Sequence, residues 1–143
     1  MVAVVVETLA HRALLGVREV VRLGRFAWYW RLRAALAREE LGEPAWRVAR
    51  REGAATGVSE EDLTYGETPL LTAYDLLREL GAGPGDTVVD LGCGRGQVVN
   101  LAALAFGCRG IGLEVLPTLA ERAGRVARRL GVTTEFRCGD FRE

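Results

Sequence analysis

A glycine-rich turn between a short apolar segment and a helical one is the part of this sequence best suited to chemistry. Gly92, Gly94 and Gly96 directly follow the apolar segment Thr87–Leu91, and Asp90 stands two positions before the first glycine. Glycines let a ligand approach the backbone closely, and such turns lie at the carboxyl edge of a sheet, where α/β folds bind nucleotide-like ligands. The sequence therefore predicts a nucleotide-type binding site at this turn.

The spacing of the glycines separates two kinds of nucleotide site. A dinucleotide fingerprint, G-x-G-x-x-G/A, that starts at Gly92 requires a small residue where this chain has Gln97. The third glycine comes one position early, at Gly96. A nicotinamide-dependent oxidoreductase is therefore disfavoured, and it remains an alternative that a titration with NAD would test.

A second acidic residue ends the next predicted strand. Glu114 follows Asp90 by 24 residues. At that place in a parallel sheet a carboxylate can accept hydrogen bonds from both hydroxyls of a ribose. The spacing of the two carboxylates therefore favours a ligand that contains a nucleoside.

The residues around the turn, 88–96, resemble motif I of the class I S-adenosylmethionine-dependent methyltransferases. The acidic residue two places before the first glycine is part of that motif. The resemblance implies that S-adenosylmethionine is the cofactor. It also implies that, in Gly139-Asp140-Phe141, Asp140 receives the exocyclic amine of the adenine and Phe141 packs on the adenine ring.

A loop upstream of motif I makes the resemblance more specific. Tyr65-Gly66-Glu67-Thr68, a helix, and then motif I running into Gln97-Val-Val are similar to the non-SET histone-lysine methyltransferases of the disruptor-of-telomeric-silencing type. In that family the Tyr-Gly-Glu-Thr loop closes over the methionine end of the cofactor. The resemblance spans about residues 65–141. It implies protein lysine as the favoured methyl acceptor and cofactor contacts by Tyr65, Glu67, Thr68 and Gln97.

The charges of these residues suit such a cofactor. S-adenosylmethionine carries a sulfonium, an ammonium and a carboxylate, so Glu67 and Asp90 would balance its cationic end while loop N–H groups meet its carboxylate. The transferred methyl group is already activated, and the protein contributes alignment, exclusion of water and a route for proton loss. No catalytic base is required from this stretch, and no catalytic residue is assigned.

The elements that position the site follow one order. Thr68 is predicted to cap a helix that begins at Pro69. Apolar runs and turn residues then predict strands at 87–91, 109–115 and 134–138, with helices at 97–106 and 117–130. The order β-α-β-α-β is typical of a parallel sheet covered by helices. The predicted fold is α/β, the N-terminal half of a Rossmann-like class I methyltransferase sheet with parallel strands in the order 3-2-1 and an N-terminal helical extension.

The class I sheet that this chain resembles has seven strands in the order 3-2-1-4-5-7-6, and the chain ends three residues after Asp140. The substrate half is therefore expected to be absent, with Val88 and Val89 on an unpaired edge where apolar residues promote aggregation. We expect a fragment, a truncated reading frame or a chain completed by another polypeptide. Enzyme activity is then expected of a complete version.

Residues 1–58 are predicted to form the helical extension, and residues 59–143 the partial cofactor domain. The first 51 residues hold 10 arginines and 5 glutamates, and the remainder holds 9 arginines and 14 acidic residues. Such a basic segment can have an anionic partner, although most charged helix faces are simply solvated. No specific nucleic-acid partner is predicted.

An amphipathic helix in the extension has two interpretations. Its apolar face, formed by Leu14, Val17, Val21 and Trp28, is expected to pack against the following domain. Alternatively, the chain is a non-catalytic interaction or membrane-surface module that docks a membrane or a protein through residues 13–33, because basic faces with aromatic neighbours suit interfaces.

Composition argues against several other classes. All 19 basic residues are arginine, which excludes the P-loop lysine and the pyridoxal Schiff base. The single His11 and the single Ser59 argue against a Ser-His-Asp hydrolase or a histidine-rich metal site.

Cysteine usage indicates a reducing compartment. Cys93, Cys108 and Cys138 form no C-x-x-C pair, and no signal peptide or transmembrane helix is predicted. We therefore expect a cytoplasmic protein, peripheral to a membrane in the docking alternative. Cys93 lies between two glycines near a helix start, a place where a thiol pKa can be lowered.

Overall fold

The computed structural model of the chain describes the backbone of residues 2–56 and 66–142, and the side chains of residues 13–53, 55–56 and 66–142. Within these residues the helices are α1 (Val2–Leu23), α2 (Ala27–Glu40), α3 (Ala45–Glu52), α4 (Leu70–Glu79), α5 (Gln97–Leu101) and α6 (Pro117–Leu130). The strands are β1 (Thr87–Leu91), β2 (Arg109–Glu114) and β3 (Thr134–Cys138). A 3-10 turn at Gly53–Ala55 follows α3, and a π-helical turn at Ala102–Phe106 follows α5.

The three strands form one parallel sheet in the spatial order β1-β2-β3. In its register Leu91 pairs with Leu113, and Glu114 pairs with Cys138, so the carboxyl ends of the strands are adjacent. Helices connect the strands, and the predicted α/β class and strand order are confirmed. This arrangement brings the residues that follow each strand to one edge of the sheet.

The two faces of the sheet differ in what covers them. On one face α5 and α6 lie directly on the backbone, and a Cβ at Gly110 would approach the side chain of Val99 to 2.5 Å. On the other face Val89 and Leu91 are 54% and 56% exposed. Among the described residues no strand pairs with the outer edge of β1. The predicted apolar edge strand is therefore present in this part of the chain.

The predicted amphipathic helix is divided into two. α1 ends at Leu23, and the chain turns before α2 begins at Ala27. Gly24 donates its N–H to the carbonyl of Val20 at 2.8 Å, and a Cβ at Gly24 would lie 2.4 Å from that oxygen. The turn therefore has room for glycine only, a close approach that helical periodicity does not reveal.

The apolar face predicted for this segment is only partly buried. Trp28 packs on the core and stacks with Tyr74 at 5.6 Å between ring centroids. Leu14, Val17 and Val21 lie on the solvent side of α1, with Val21 75% exposed. The packing prediction is therefore wrong for these three residues. The face of α1 that points inward instead carries Glu19 and Leu23, both of which are buried. The carboxylate of Glu19 accepts a hydrogen bond from the hydroxyl of Tyr29 at 3.1 Å.

The N-terminal helices pack on the helices that connect the strands: α1 contacts α4, α2 contacts α5 and α6, and α3 contacts α6. One core contains residues of the N-terminal helices and of the sheet side together, namely Leu23, Tyr29, Leu32, Leu36, Leu70, Leu77, Leu101, Val126 and Leu130. Buried Glu39 of α2 also accepts hydrogen bonds from Arg125 and Arg129 of α6. None of the described helices is both long enough and apolar enough to cross a bilayer.

Candidate functional site

A cavity of about 320 Å³ lies at the carboxyl edge of the sheet. Its walls come from the ends of the three strands, the turn after β1, the loop before α4 and the start of α6. Nine of the predicted site residues line it: Glu67, Thr68, Asp90, Gly92, Gly94, Gln97, Glu114, Asp140 and Phe141. Tyr65 lies outside the described residues. The structure therefore brings the predicted residues of the described chain together at one site, apart from Gly96.

Glu114 is held rigidly at the end of β2. It is 6% exposed, and its two carboxylate oxygens accept backbone N–H bonds from Gly94 at 2.7 Å and from Leu116 at 2.9 Å. Each carboxylate oxygen has a further lone pair for a ligand hydroxyl. The arrangement links the glycine turn, β2 and the start of α6 through one charged group.

The N–H groups of the glycine turn are committed to the protein itself. Those of Gly92 and Cys93 both donate to the carbonyl of Leu113 at 2.9 Å, and that of Gly94 donates to Glu114. The expectation that these N–H groups meet a ligand carboxylate is therefore wrong for these three. Their hydrogen bonds instead fold the turn back over β2.

Gly96 lies beneath the turn rather than on the cavity wall. Its φ is +71°, and a Cβ there would lie 2.7 Å from the ring of Phe136 and 2.9 Å from Ala123. Gly96 does not line the cavity, and its predicted contact with the cofactor stays a prediction. Because Gly96 has no side chain, the turn can pack directly against β3 and α6.

The other two carboxylates at the strand ends have different surroundings. Burial, and secondarily the charge of Glu114, raises the pKa of Asp90 above its usual range. The guanidinium of Arg142 donates two hydrogen bonds from Nε and one, at 2.6 Å, from Nη2 to Asp140. This hydrogen bonding lowers the pKa of Asp140 to about 2, so this carboxylate stays ionised at neutral pH.

The loop that precedes α4 is tied to the glycine turn by side chains. Arg95 donates to both oxygens of Glu67, and the side-chain amide of Gln97 donates to the carbonyl of Thr68. The negative charge of Glu67 is thus paired with the buried guanidinium of Arg95. Of the two carboxylates expected to balance the cationic end of a ligand, Asp90 is therefore the main one. Gln97 contacts the loop as well as the cavity.

Thr68 does not cap α4. The helix begins at Leu70, Pro69 occupies the cap position with ψ of 140°, and no side chain bonds to the free N–H groups there. The extended backbone of Pro69 places Thr68 one residue too early for a capping bond. The predicted cap is therefore wrong. Thr68 does line the cavity, and its predicted contact with the cofactor stays a prediction.

Several polar contacts at the site and beside it could not be predicted from the sequence. Arg95 and Arg142 each hold a predicted carboxylate, and Glu52 of α3 accepts the N–H of Thr118 at 3.1 Å, which caps α6 from another helix. Glu52 and Thr118 are 66 residues apart. No local spacing could have indicated such a pair, because only the tertiary fold brings the two together.

Cys93 is buried in the turn, and its thiol pKa moves opposite to the expectation. Burial, with the nearby charges of Glu114 and Asp90, raises it to about 12. The environment is acidic and apolar, whereas a lowered thiol pKa requires a positive one. We therefore expect the thiol of Cys93 to be unreactive in the folded protein.

Alkylation of the folded protein at pH 8 is expected to modify exposed Cys138 first and to leave Cys93 untouched. With a pKa of about 12, about one Cys93 thiol in ten thousand is ionised at that pH. Mass spectrometry after a short iodoacetamide pulse measures the order of modification, and protein unfolded in urea is the control in which all three cysteines react. Modification of Cys93 as fast as Cys138 would contradict the burial argument.

Comparison with known proteins bears on this site. The family model described as "Histone methylation protein DOT1" matches residues 58–138. The geranyl diphosphate 2-C-methyltransferase of Streptomyces lasalocidi is 46% identical over 63 residues, which are 43% of this chain and 21% of that enzyme. The enzyme of the same name from Streptomyces coelicolor is 41% identical over 63 residues, which are 43% of this chain and 22% of that enzyme.

Among solved structures, an RNA methyltransferase from Salinibacter ruber in complex with S-adenosyl-L-homocysteine is 36% identical, with a TM-score of 0.53. The likeness covers 55% of this chain and 52% of that one. The chain thus matches about a fifth of the length of the curated relatives and about half of this structure. The names of these proteins give different methyl acceptors: geranyl diphosphate for the two curated relatives and RNA for the solved structure.

Proposed function

We propose a function for this chain from one premise: through residues 58–138 it belongs to the family of the histone methylation protein DOT1. Its parallel strands β1, β2 and β3, with the glycine turn after β1, have the class I S-adenosylmethionine-dependent methyltransferase fold. The proposed function is binding of S-adenosylmethionine and methyl transfer from it to an acceptor.

One observation carries the proposal. Glu114, buried and fixed by two backbone N–H groups, lines the same cavity as Asp140, at the ends of two neighbouring strands. A cavity of about 320 Å³ is within the range of small-molecule sites. Two carboxylate acceptors at adjacent strand ends fit the hydroxyls of a ribose and the amine of an adenine. The residues present therefore fit the nucleoside of the cofactor.

We assign roles to these residues from the family resemblance, in keeping with their places on the cavity wall. Glu114 accepts the ribose hydroxyls, Asp140 accepts the adenine amine, and Phe141, more than half exposed, packs on the adenine ring. Asp90 provides negative charge at the end of β1. When bound, S-adenosylmethionine supplies a methyl group activated for in-line displacement, so the protein contributes alignment and exclusion of water.

For the methyl acceptor, we place a small molecule first and protein lysine second. The small molecule is favoured by the two relatives named for geranyl diphosphate, with identities of 46% and 41% over 63 residues. Protein lysine is favoured by the family model. Radiolabelled methyl transfer to geranyl diphosphate and, in parallel, to a histone mixture would separate these acceptors.

Two further predictions stay within the proposal. We place the boundary between helical extension and cofactor domain near residue 58, where the family match begins, and we assign the protein to the cytoplasm.

The comparisons give no support for a membrane partner of residues 13–33. The alternative of a non-catalytic interaction module differs from the proposal in one respect, namely that it needs no cofactor.

Calorimetric titration of the folded chain tests the proposed function. We expect saturable binding of S-adenosylmethionine and of S-adenosylhomocysteine with one site per chain, and no heat from NAD under the same conditions. Binding of NAD alone would favour the oxidoreductase alternative. A folded sample that binds none of the three ligands would overturn the proposal and favour the interaction module.

A further inference from the structure

We propose that Arg95 is a positioning residue: it locks the loop formed by residues 66–68 over the β1 end of the cavity, and so sets affinity for the part of the cofactor beyond its nucleoside. The inference rests on the proposed function. Arg95 lies between the second and third glycines of the turn. The motif I pattern by itself does not indicate which residue this side chain contacts.

The guanidinium of Arg95 joins three parts of the chain. It is 4% exposed, and its Nε and Nη2 donate to the two carboxylate oxygens of Glu67 at 2.7 and 2.6 Å. Its Nη1 lies 3.3 Å from the carbonyl of Leu36 and 3.0 Å from Oε1 of Glu40, both near the end of α2. The glycine turn, the loop before α4 and helix α2 therefore meet at one side chain.

The form of this contact indicates positioning rather than added stability. A buried ion pair contributes little net free energy, because desolvation of both charges offsets their attraction. A planar guanidinium that binds a carboxylate through two parallel bonds nevertheless fixes the direction and distance of its partner. The contact of Arg95 with Glu67 thus specifies where the loop lies.

Two described contacts tie the loop to the glycine turn and to the start of α5. Gly66, Glu67 and Thr68 are exposed and belong to no helix or strand. The second tether is the bond from the Gln97 side chain to the carbonyl of Thr68. Both tethers come from the glycine turn and the start of α5, so the loop follows the position of the turn.

Strand order tells which part of a ligand the loop would meet. Glu114 ends β2 and Asp140 follows β3, so a nucleoside bound by these carboxylates lies over that side of the sheet. The loop is tied by hydrogen bonds to Arg95 and Gln97, which follow β1, so it lies toward the β1 side of the sheet. A ligand that extends from the ribose along the cavity therefore reaches the loop with its far end.

Two ligands separate the nucleoside from that far end. S-adenosylhomocysteine carries the amino-acid portion, and 5′-methylthioadenosine has the same nucleoside and thioether without it. Calorimetry would compare both ligands with the wild-type chain, Arg95→Gln, Arg95→Lys and Glu67→Gln. Glu121→Gln, which changes an exposed helical carboxylate, is the matched control.

We expect Arg95→Gln and Glu67→Gln to weaken S-adenosylhomocysteine about tenfold or more and to change 5′-methylthioadenosine less than threefold. Arg95→Lys should give an intermediate loss, because an ammonium cannot form the paired contact. If Glu67 instead bound the ligand's ammonium directly, Arg95→Gln would release that carboxylate and tighten S-adenosylhomocysteine. That result would overturn the inference.

The remaining outcomes also decide the question. Because Glu67 is partly exposed, Glu67→Gln tests the loop even if Arg95→Gln fails to fold. Equal losses for both ligands, or unchanged binding of S-adenosylhomocysteine by Glu67→Gln, would show that the pair does not position the loop. A wild-type chain that binds neither ligand would overturn the proposed function itself, and the inference with it.

Discussion

Glu114→Gln is expected to weaken binding of S-adenosylhomocysteine by about 100-fold, or about 3 kcal/mol. The carboxylate accepts N–H bonds from Gly94 and Leu116 while facing the cavity. A glutamine has one acceptor oxygen, so its amide N–H₂ must oppose one of these backbone donors or turn into the cavity. Both the ribose contacts and the position of the glycine turn are then lost. Isothermal titration calorimetry measures the change in affinity.

The matched control is Glu135→Gln on the neighbouring strand. Glu135 is exposed, and hydrogen bonding from Arg137 lowers its pKa, yet it does not line the cavity. Its replacement should leave the affinity unchanged, and circular dichroism should show that both variants are folded. An affinity of Glu114→Gln within threefold of wild type would remove Glu114 from the proposed ribose site.

Gly96→Ala is expected to lower the free energy of unfolding by about 3 kcal/mol. A residue with a side chain at φ of +71° costs about 1–2 kcal/mol. The new methyl group would also overlap the ring of Phe136, and overpacking of this kind costs about 1–3 kcal/mol. Urea denaturation followed by circular dichroism measures the change through the transition midpoint.

Gly124→Ala, in contrast, is expected to raise the free energy of unfolding slightly. Gly124 lies within α6, and the nearest atom to a new Cβ is the mobile end of Arg128 at 3.4 Å. Alanine in a helix interior is favoured over glycine by about 1 kcal/mol, so this variant should be slightly more stable than wild type. A Gly96→Ala variant as stable as Gly124→Ala would mean that the turn tolerates a side chain.

The elements with strong terminal signals could be predicted from the sequence. Helix α6 lies between Pro117 and Gly131, and its predicted bounds are those of the structure. Strands β1 and β3 also have their predicted bounds, because each is a short segment between turn glycines, which leave little freedom in where the strand begins and ends. Helix periodicity was less informative at Gly24, where a close backbone approach ends α1.

The site could be located from the sequence, but its internal contacts could not. Parallel strands gather the residues after their carboxyl ends, so Asp90, Glu114 and Asp140 had to lie near one another. The partner of Glu67 is 28 residues away, and nothing at either position indicates the other. The thiol pKa of Cys93 depends on burial and on carboxylates from the turn's surroundings, which only the folded chain reveals.

The core shared by the N-terminal helices and the sheet side has a thermodynamic consequence. Leu32 and Leu36 of α2 pack in one cluster with Leu101 and Val126, so melting of either part would strip apolar contacts from the other. The described helices and strands should then unfold as one cooperative unit with a single transition. Any ligand held at the strand ends would, by mass action, protect amide hydrogens of α2 from exchange with solvent as well.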